Sequence, residues 1–187
     1  HHSVTDNKES EFALVVNSQL SEEYSNKQFS GVGITYKFLQ ALDDEFGFNS
    51  ADEYLDLCSV GNVADVMEMT SPETRYYVYK GITQIKNEYL KEMVFKNIGK
   101  YEKVNPYSLA FNLIPKINAV IRVGTEQEKE ELFLAIIGRD IPFYNSRRKV
   151  EETLQYKMAR IGGNVHKKQG DMKKKWIKIL KEKVEEQ

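Results

Sequence analysis

The sequence predicts an α/β fold: part of a parallel sheet, a mostly helical remainder and a long, basic C-terminal helix. Three observations predict it. Residues 12–16, Phe-Ala-Leu-Val-Val, form a compact apolar run that ends at Asn17 and reads as a buried strand. The chain beyond Asn17 is dominated by helix-start signals and helical spacing of apolar residues. Residues 147–187 are helical in composition and carry 13 Lys+Arg against 6 Asp+Glu, whereas residues 1–146 carry 14 against 22. A whole α/β unit alternates strands with helices, so one strand followed almost wholly by helices reads as a piece cut from such a unit.

In chain order, a polar loop spans 18–28. Ser30 is an N-cap for a helix to about Phe46, with Phe38, Leu39, Leu42 and Phe46 at helical spacing. Ser50 and Glu53 fit a capping box. The helix they open runs through Tyr54, Leu55, Leu57 and Cys58 and gives out near Gly61. Ser71-Pro72-Glu73 starts another helix, with Pro where a missing amide costs nothing. Further helices are expected at 88–98, 106–113 and 126–138. Gly162-Gly163 and Gly170 are expected to interrupt the last one.

The 187 residues suit one domain, or one with an appendage. With 41% apolar and 11% aromatic residues the chain can build a core and is not a disordered polymer. No run of about 18 apolar residues occurs and no signal-peptide pattern opens the chain, which excludes a transmembrane helix. A single cysteine, Cys58, cannot form an internal disulfide. That fits a reducing, cytoplasmic setting, and its apolar neighbours mark a core thiol rather than a nucleophile. The basic 147–187 segment suits either a groove for a phosphate backbone or a solvated helix rich in lysine.

Three features could carry chemistry. His1-His2 read as the remains of a purification tag or as imidazoles for a metal and a phosphate. Asp65, in Ser59-Val-Gly-Asn-Val-Ala-Asp65, sits among apolar neighbours just beyond a helix, where a carboxylate either binds a cation or caps a turn. Leu113 to Gly124 places Pro115, Asn118 and Arg122 in an apolar segment. Arg122 there suits phosphate recognition or a buried pairing with a carboxylate.

Taken together, the order and spacing of these features resemble one family. His1-His2 precede Asn17, Gly31-Val32-Gly33 opens a helix, and Gly61-Asn62-Val63-Ala64-Asp65 closes the next. Pro115-Lys116-Ile117-Asn118-Ala119-Val120-Ile121-Arg122 comes later, then Asn145-Ser146-Arg147-Arg148-Lys149-Val150-Glu151. The pattern, over roughly residues 1–160, is similar to the RecJ-like single-strand-specific exonucleases of the DHH phosphoesterase superfamily. Two departures are Ile121, where the family has Gly, and Met67-Glu68-Met69, where it often has Pro.

The resemblance implies the C-terminal part of a DHH-type domain over 1–70, a helical part of the catalytic core over 71–144, and a connecting helix over 145–187 toward a second domain. It implies a fragment of a metal-dependent 5′→3′ exonuclease acting on single-stranded DNA and inactive alone. The partners it implies are single-stranded DNA, the N-terminal half and the second domain of the same protein, with no membrane. The cofactor implied is Mn2+, with Mg2+ as the alternative. Carried over by position, His1 and Asp65 are metal ligands, His2 and Arg122 act on the scissile phosphate, and Asn118 lies near the substrate backbone. The alternatives are a fragment of a DHH phosphodiesterase for short oligonucleotides or cyclic dinucleotides, and a non-enzymatic replication scaffold.

Overall fold

A computed structural model describes residues 12–99 and 103–185. They fall into two compact units. The first holds residues 12–87 and 104–110, with helices α1 (Gly31–Phe46), α2 (Leu55–Ala64), α3 (Pro72–Thr83) and the short α5 (Pro106–Ser108). The second holds 88–99, 103 and 111–185, with α4 (Glu88–Asn97), α6 (Ile114–Val123), α7 (Glu126–Ile136), strands β1 (Pro142–Asn145) and β2 (Val150–Thr153), and α8 (Leu154–Glu185). No helix among the described residues is long and apolar enough to cross a membrane.

In the first unit the expected caps form. The Ser30 hydroxyl accepts the Gly33 amide, and Ser71 accepts that of Thr74 with Pro72 at the first helical position. The Ser50 capping box does not form. Asp43, near the end of α1, takes the Ser50 amide and hydroxyl at 2.7 Å each and the Ala51 amide at 2.6 Å. A carboxylate accepting three bonds satisfies this turn better than the Ser50 side chain could, so a 3-10 turn (Ala51–Tyr54) precedes α2. These bonds, the Ala51 amide foremost, hold the Asp43 carboxyl below its ordinary range.

The core of this unit joins Phe29, Tyr36, Ala51, Leu55, Cys58 and Tyr77. Cys58 is fully buried, as expected, and burial pushes its thiol up to about 12. Helix α2 continues past Gly61 to Ala64 because Gly61 lies where α1 crosses it: a Cβ there would meet Val32 Cβ at 2.7 Å. The buried face of α1 carries Gly33, Tyr36 and Asp43, while Phe38 and Phe46 are mostly exposed. Residues 12–16 are exposed and without regular secondary structure rather than a buried strand, and the sheet among the described residues does not include them. An apolar run becomes a parallel strand only when neighbours take up its amides and carbonyls.

In the second unit, Pro115 does not end a helix. Without an amide it cannot bond the Phe111 carbonyl, and its ring crowds that carbonyl. The preceding turn, Leu109–Leu113, widens to π-helical bonding and α6 continues through the proline. Helix α7 starts with a full capping box between Thr125 and Glu128. Residues 145–151 are a hairpin instead of a helix start. Strands β1 and β2 pair antiparallel, Asn145 opposite Val150, and the long helix begins at Leu154. The α/β class and the helical remainder hold, but the sheet among the described residues is this antiparallel pair, not a parallel one. Helix α8 runs unbroken through Gly162, Gly163 and Gly170. Gly162 is buried, 3.5 Å from the Lys116 carbonyl of α6 at its Cβ position, so it serves packing there.

Helices α2 and α3 pack through Gly81, where a Cβ would lie 2.1 Å from Ser59 Oγ and 2.4 Å from the Leu55 carbonyl. Ser59 Oγ is itself committed to the Tyr77 and Val78 carbonyls. Gly→Ala inside a helix ordinarily gains about 1 kcal/mol. Here overpacking against fixed backbone outweighs that gain, so Gly81→Ala is expected to destabilise by about 2 kcal/mol, seen as a lower Tm in thermal unfolding.

Candidate functional site

Asp65 is the C-cap of α2 and is half-buried. Its position follows from a Schellman turn: the Met67 amide bonds the Asn62 carbonyl at 2.9 Å, and the Val66 amide bonds that of Val63 at 3.2 Å. The residue after the cap in such a turn is left-handed and normally Gly. Here it is Val66, with φ 55° and a side chain 85% exposed. A β-branched residue in that region is strained, and strain of this kind marks places where the backbone is held by something other than local preference.

What holds it is Asn62, 1% exposed. Its Nδ2 donates to the Cys58 carbonyl at 3.0 Å, and its Oδ1 accepts the Ser30 amide at 3.1 Å. One buried amide thus ties the start of α1 to the last turns of α2, and Asp65 lies one turn later. Gly33 makes room, since a Cβ there would sit 3.0 Å from Asn62 Oδ1 and 2.7 Å from Phe29. The glycines of the Gly31-Val32-Gly33 and Gly61-to-Asp65 motifs are therefore packing residues that let two helices touch. Asn62 does not stand out in the sequence as a functional residue. Its signal is a polar residue one helical turn after Cys58 on an otherwise apolar face.

Asn118 and Arg122 lie in the second unit, four residues apart on α6 and so on one face, not in a loop. Asn118 is half-buried and Arg122 exposed. Arg122 makes no ion pair among the described residues, so of its two readings the buried pairing with a carboxylate does not occur. His1 and His2 lie outside the described residues.

A divalent cation such as Mn2+ or Mg2+ needs several hard oxygen or imidazole donors converging on one point. Among the described residues no three His, Cys, Asp or Glu side chains converge in this way. The described residues do not by themselves make a metal centre.

No family model matches the chain. A prophage SPbeta protein of Bacillus subtilis strain 168, provisionally named the single-strand DNA-specific exonuclease YorK, is 38% identical over 167 residues, covering 86% of this chain. A crystal structure of exonuclease RecJ bound to manganese superposes with a TM-score of 0.76 over 96% of this chain at 22% identity. The chain is RecJ-like. The single-stranded-DNA-specific exonuclease RecJ of B. subtilis adds 31% identity over 114 residues, 59% of this chain and 14% of that protein. The RecJ-like chain spans 29% of the length of YorK and 42% of the manganese-bound RecJ chain.

Because the Val66 side chain buries little, relieving its left-handed strain should outweigh the added flexibility of glycine. Val66→Gly is expected to stabilise the RecJ-like chain by about 1 kcal/mol in urea unfolding, with an unchanged m-value. Equal or lower stability would show that the turn at Asp65 is not held as described.

Proposed function

We propose that this chain forms part of the catalytic core of a metal-dependent exonuclease that hydrolyses phosphodiester bonds of single-stranded DNA from the 5′ end. The observation that carries this reading is the 38% identity to YorK, sustained over 86% of the chain. In this reading Asp65 contributes one carboxylate to a Mn2+ centre, with Mg2+ the alternative, and His1 is a further ligand. Such an ion, when bound, supplies charge neutralisation at phosphate and a more acidic water. His2 contacts the scissile phosphate. Arg122 stabilises negative charge developing on it, and Asn118 bonds the strand beside it on the same face of α6. The remaining ligands come from segments that this chain does not contain, and the setting is cytoplasmic.

The placement of Asp65 supports this role. A carboxylate at a rigid helix end, held by the buried Asn62, loses little freedom on binding a cation. Among the described residues no three His, Cys, Asp or Glu side chains gather to hold a cation, so this reading gives the chain alone no activity.

Two assays test the reading. The isolated chain with manganese should release no nucleotides from single-stranded DNA. A chimera in which it replaces the matching segment of YorK should degrade that substrate. In the chimera, Asp65→Ala should lower the rate by about 100-fold or more while leaving DNA binding intact. Activity surviving Asp65→Ala would refute the assignment.

A further inference from the structure

The hairpin that replaces the expected helix start presents three successive cations, Arg147, Arg148 and Lys149, on a four-residue turn. The turn is tightly built. Asn145 Oδ1 accepts the Arg147 and Arg148 amides at 3.2 Å each, and the Lys149 amide donates to the Asn145 carbonyl at 2.8 Å. Lys149 closes it with φ 54°, in the left-handed region where glycine or asparagine would be less strained. A cation is kept at a position that disfavours it. That kind of strain points to a role beyond folding.

The surroundings raise the local positive charge. Arg148 donates to Tyr156 Oη at 2.8 Å, and Lys96 Nζ lies 3.6 Å from the centre of the same ring. Arg148 and Arg160 share the buried carboxylate of Glu152, at 3.5 and 3.1 Å, and Asn145 Nδ2 also donates to it at 2.8 Å. Three cationic side chains are thus gathered about one phenol and one carboxylate. Arg147 and Lys149 are exposed and form no ion pair among the described residues. The adjoining depression is itself acidic, lined by Glu92, Glu151 and Glu152 against Arg148, and the cations outside it, Arg147, Lys149, Lys96 and Arg160, outweigh those carboxylates. Tyr144, on the outward face of β1, is 60% exposed beside the turn. Exposed cations with an accessible aromatic ring are the elements that hold a flexible strand, the cations on phosphates and the ring on a base.

We propose that the 146–149 turn, with Tyr144 and the Lys96–Tyr156 pair beside it, binds the phosphodiester backbone of single-stranded nucleic acid. Glu152 acts as a positioning residue that fixes Arg148 and Arg160. This rests on the reading that the substrate is a single strand. It adds a contact apart from the motif residues Asp65, Asn118 and Arg122, and is tested by binding alone.

The test is fluorescence anisotropy of a labelled thymidine oligonucleotide titrated with the 187-residue chain at several salt concentrations. Arg147→Glu with Lys149→Glu should weaken binding at least about tenfold and lower the slope of log affinity against log salt by about 1.4, two single-strand phosphate contacts. The same charge change at Lys181→Glu with Lys183→Glu, near the end of α8, should weaken it less than about twofold. Lys149→Gly should raise the Tm by roughly 2–4 °C yet weaken binding, which a merely structural lysine would not do. The proposal is overturned if the wild-type chain does not bind at low salt, or if the hairpin variants bind like wild type. It is overturned equally if both double reversals weaken binding alike, or if a duplex competes as well as the strand. Hydrolysis by the YorK chimera is a separate measurement, so failure of this contact and failure of the functional reading are told apart.

Discussion

The close approach of α1 to α2 is the constraint on which the rest of the first unit depends. Two helices can touch there because Gly33 and Gly61 carry no side chain at the crossing. The space left is closed by Asn62, whose buried amide bonds the Ser30 amide on one side and the Cys58 carbonyl on the other. A buried side-chain amide is expensive unless its groups are paired, so this bridge selects one register of α1 against α2. Gly81 repeats the device between α2 and α3. The end of α2 is thereby fixed by packing, which holds the strained turn that places Asp65.

Local chemistry makes much of this legible. Ser30, Ser71 and Thr125 cap as their side chains dictate, because a cap is decided within four residues. Ser50 fails for the opposite reason: Asp43, seven residues away, offers two carboxylate oxygens and wins. The same holds at Asn145, where a plausible helix start yields to a hairpin. Glu152 there bonds Asn145, Arg148 and Arg160, partners that span sixteen residues of sequence and are visible only once folded. The strand expected at 12–16 depends on pairing neighbours, and composition cannot supply them.

For the site, the order of motifs is readable in the sequence and their geometry is not. Asp65 is recognisable as a carboxylate at a helix end, but the residue that places it, Asn62, carries no chemistry of its own. Pro115 suggests a break. In the fold it shifts one turn to π-helical bonding and leaves Asn118 and Arg122 on one helical face. The glycines stand out as motif letters, and their work is steric.

Everything proposed for the site turns on Asp65 as a metal-binding carboxylate of a nuclease core completed by other segments. Anomalous diffraction at the manganese edge, from crystals of the YorK chimera, tests it most directly. A manganese peak is expected between about 2.0 and 2.3 Å from a carboxylate oxygen of Asp65. Manganese bound elsewhere in the chimera, with Asp65 outside its coordination sphere, would contradict it.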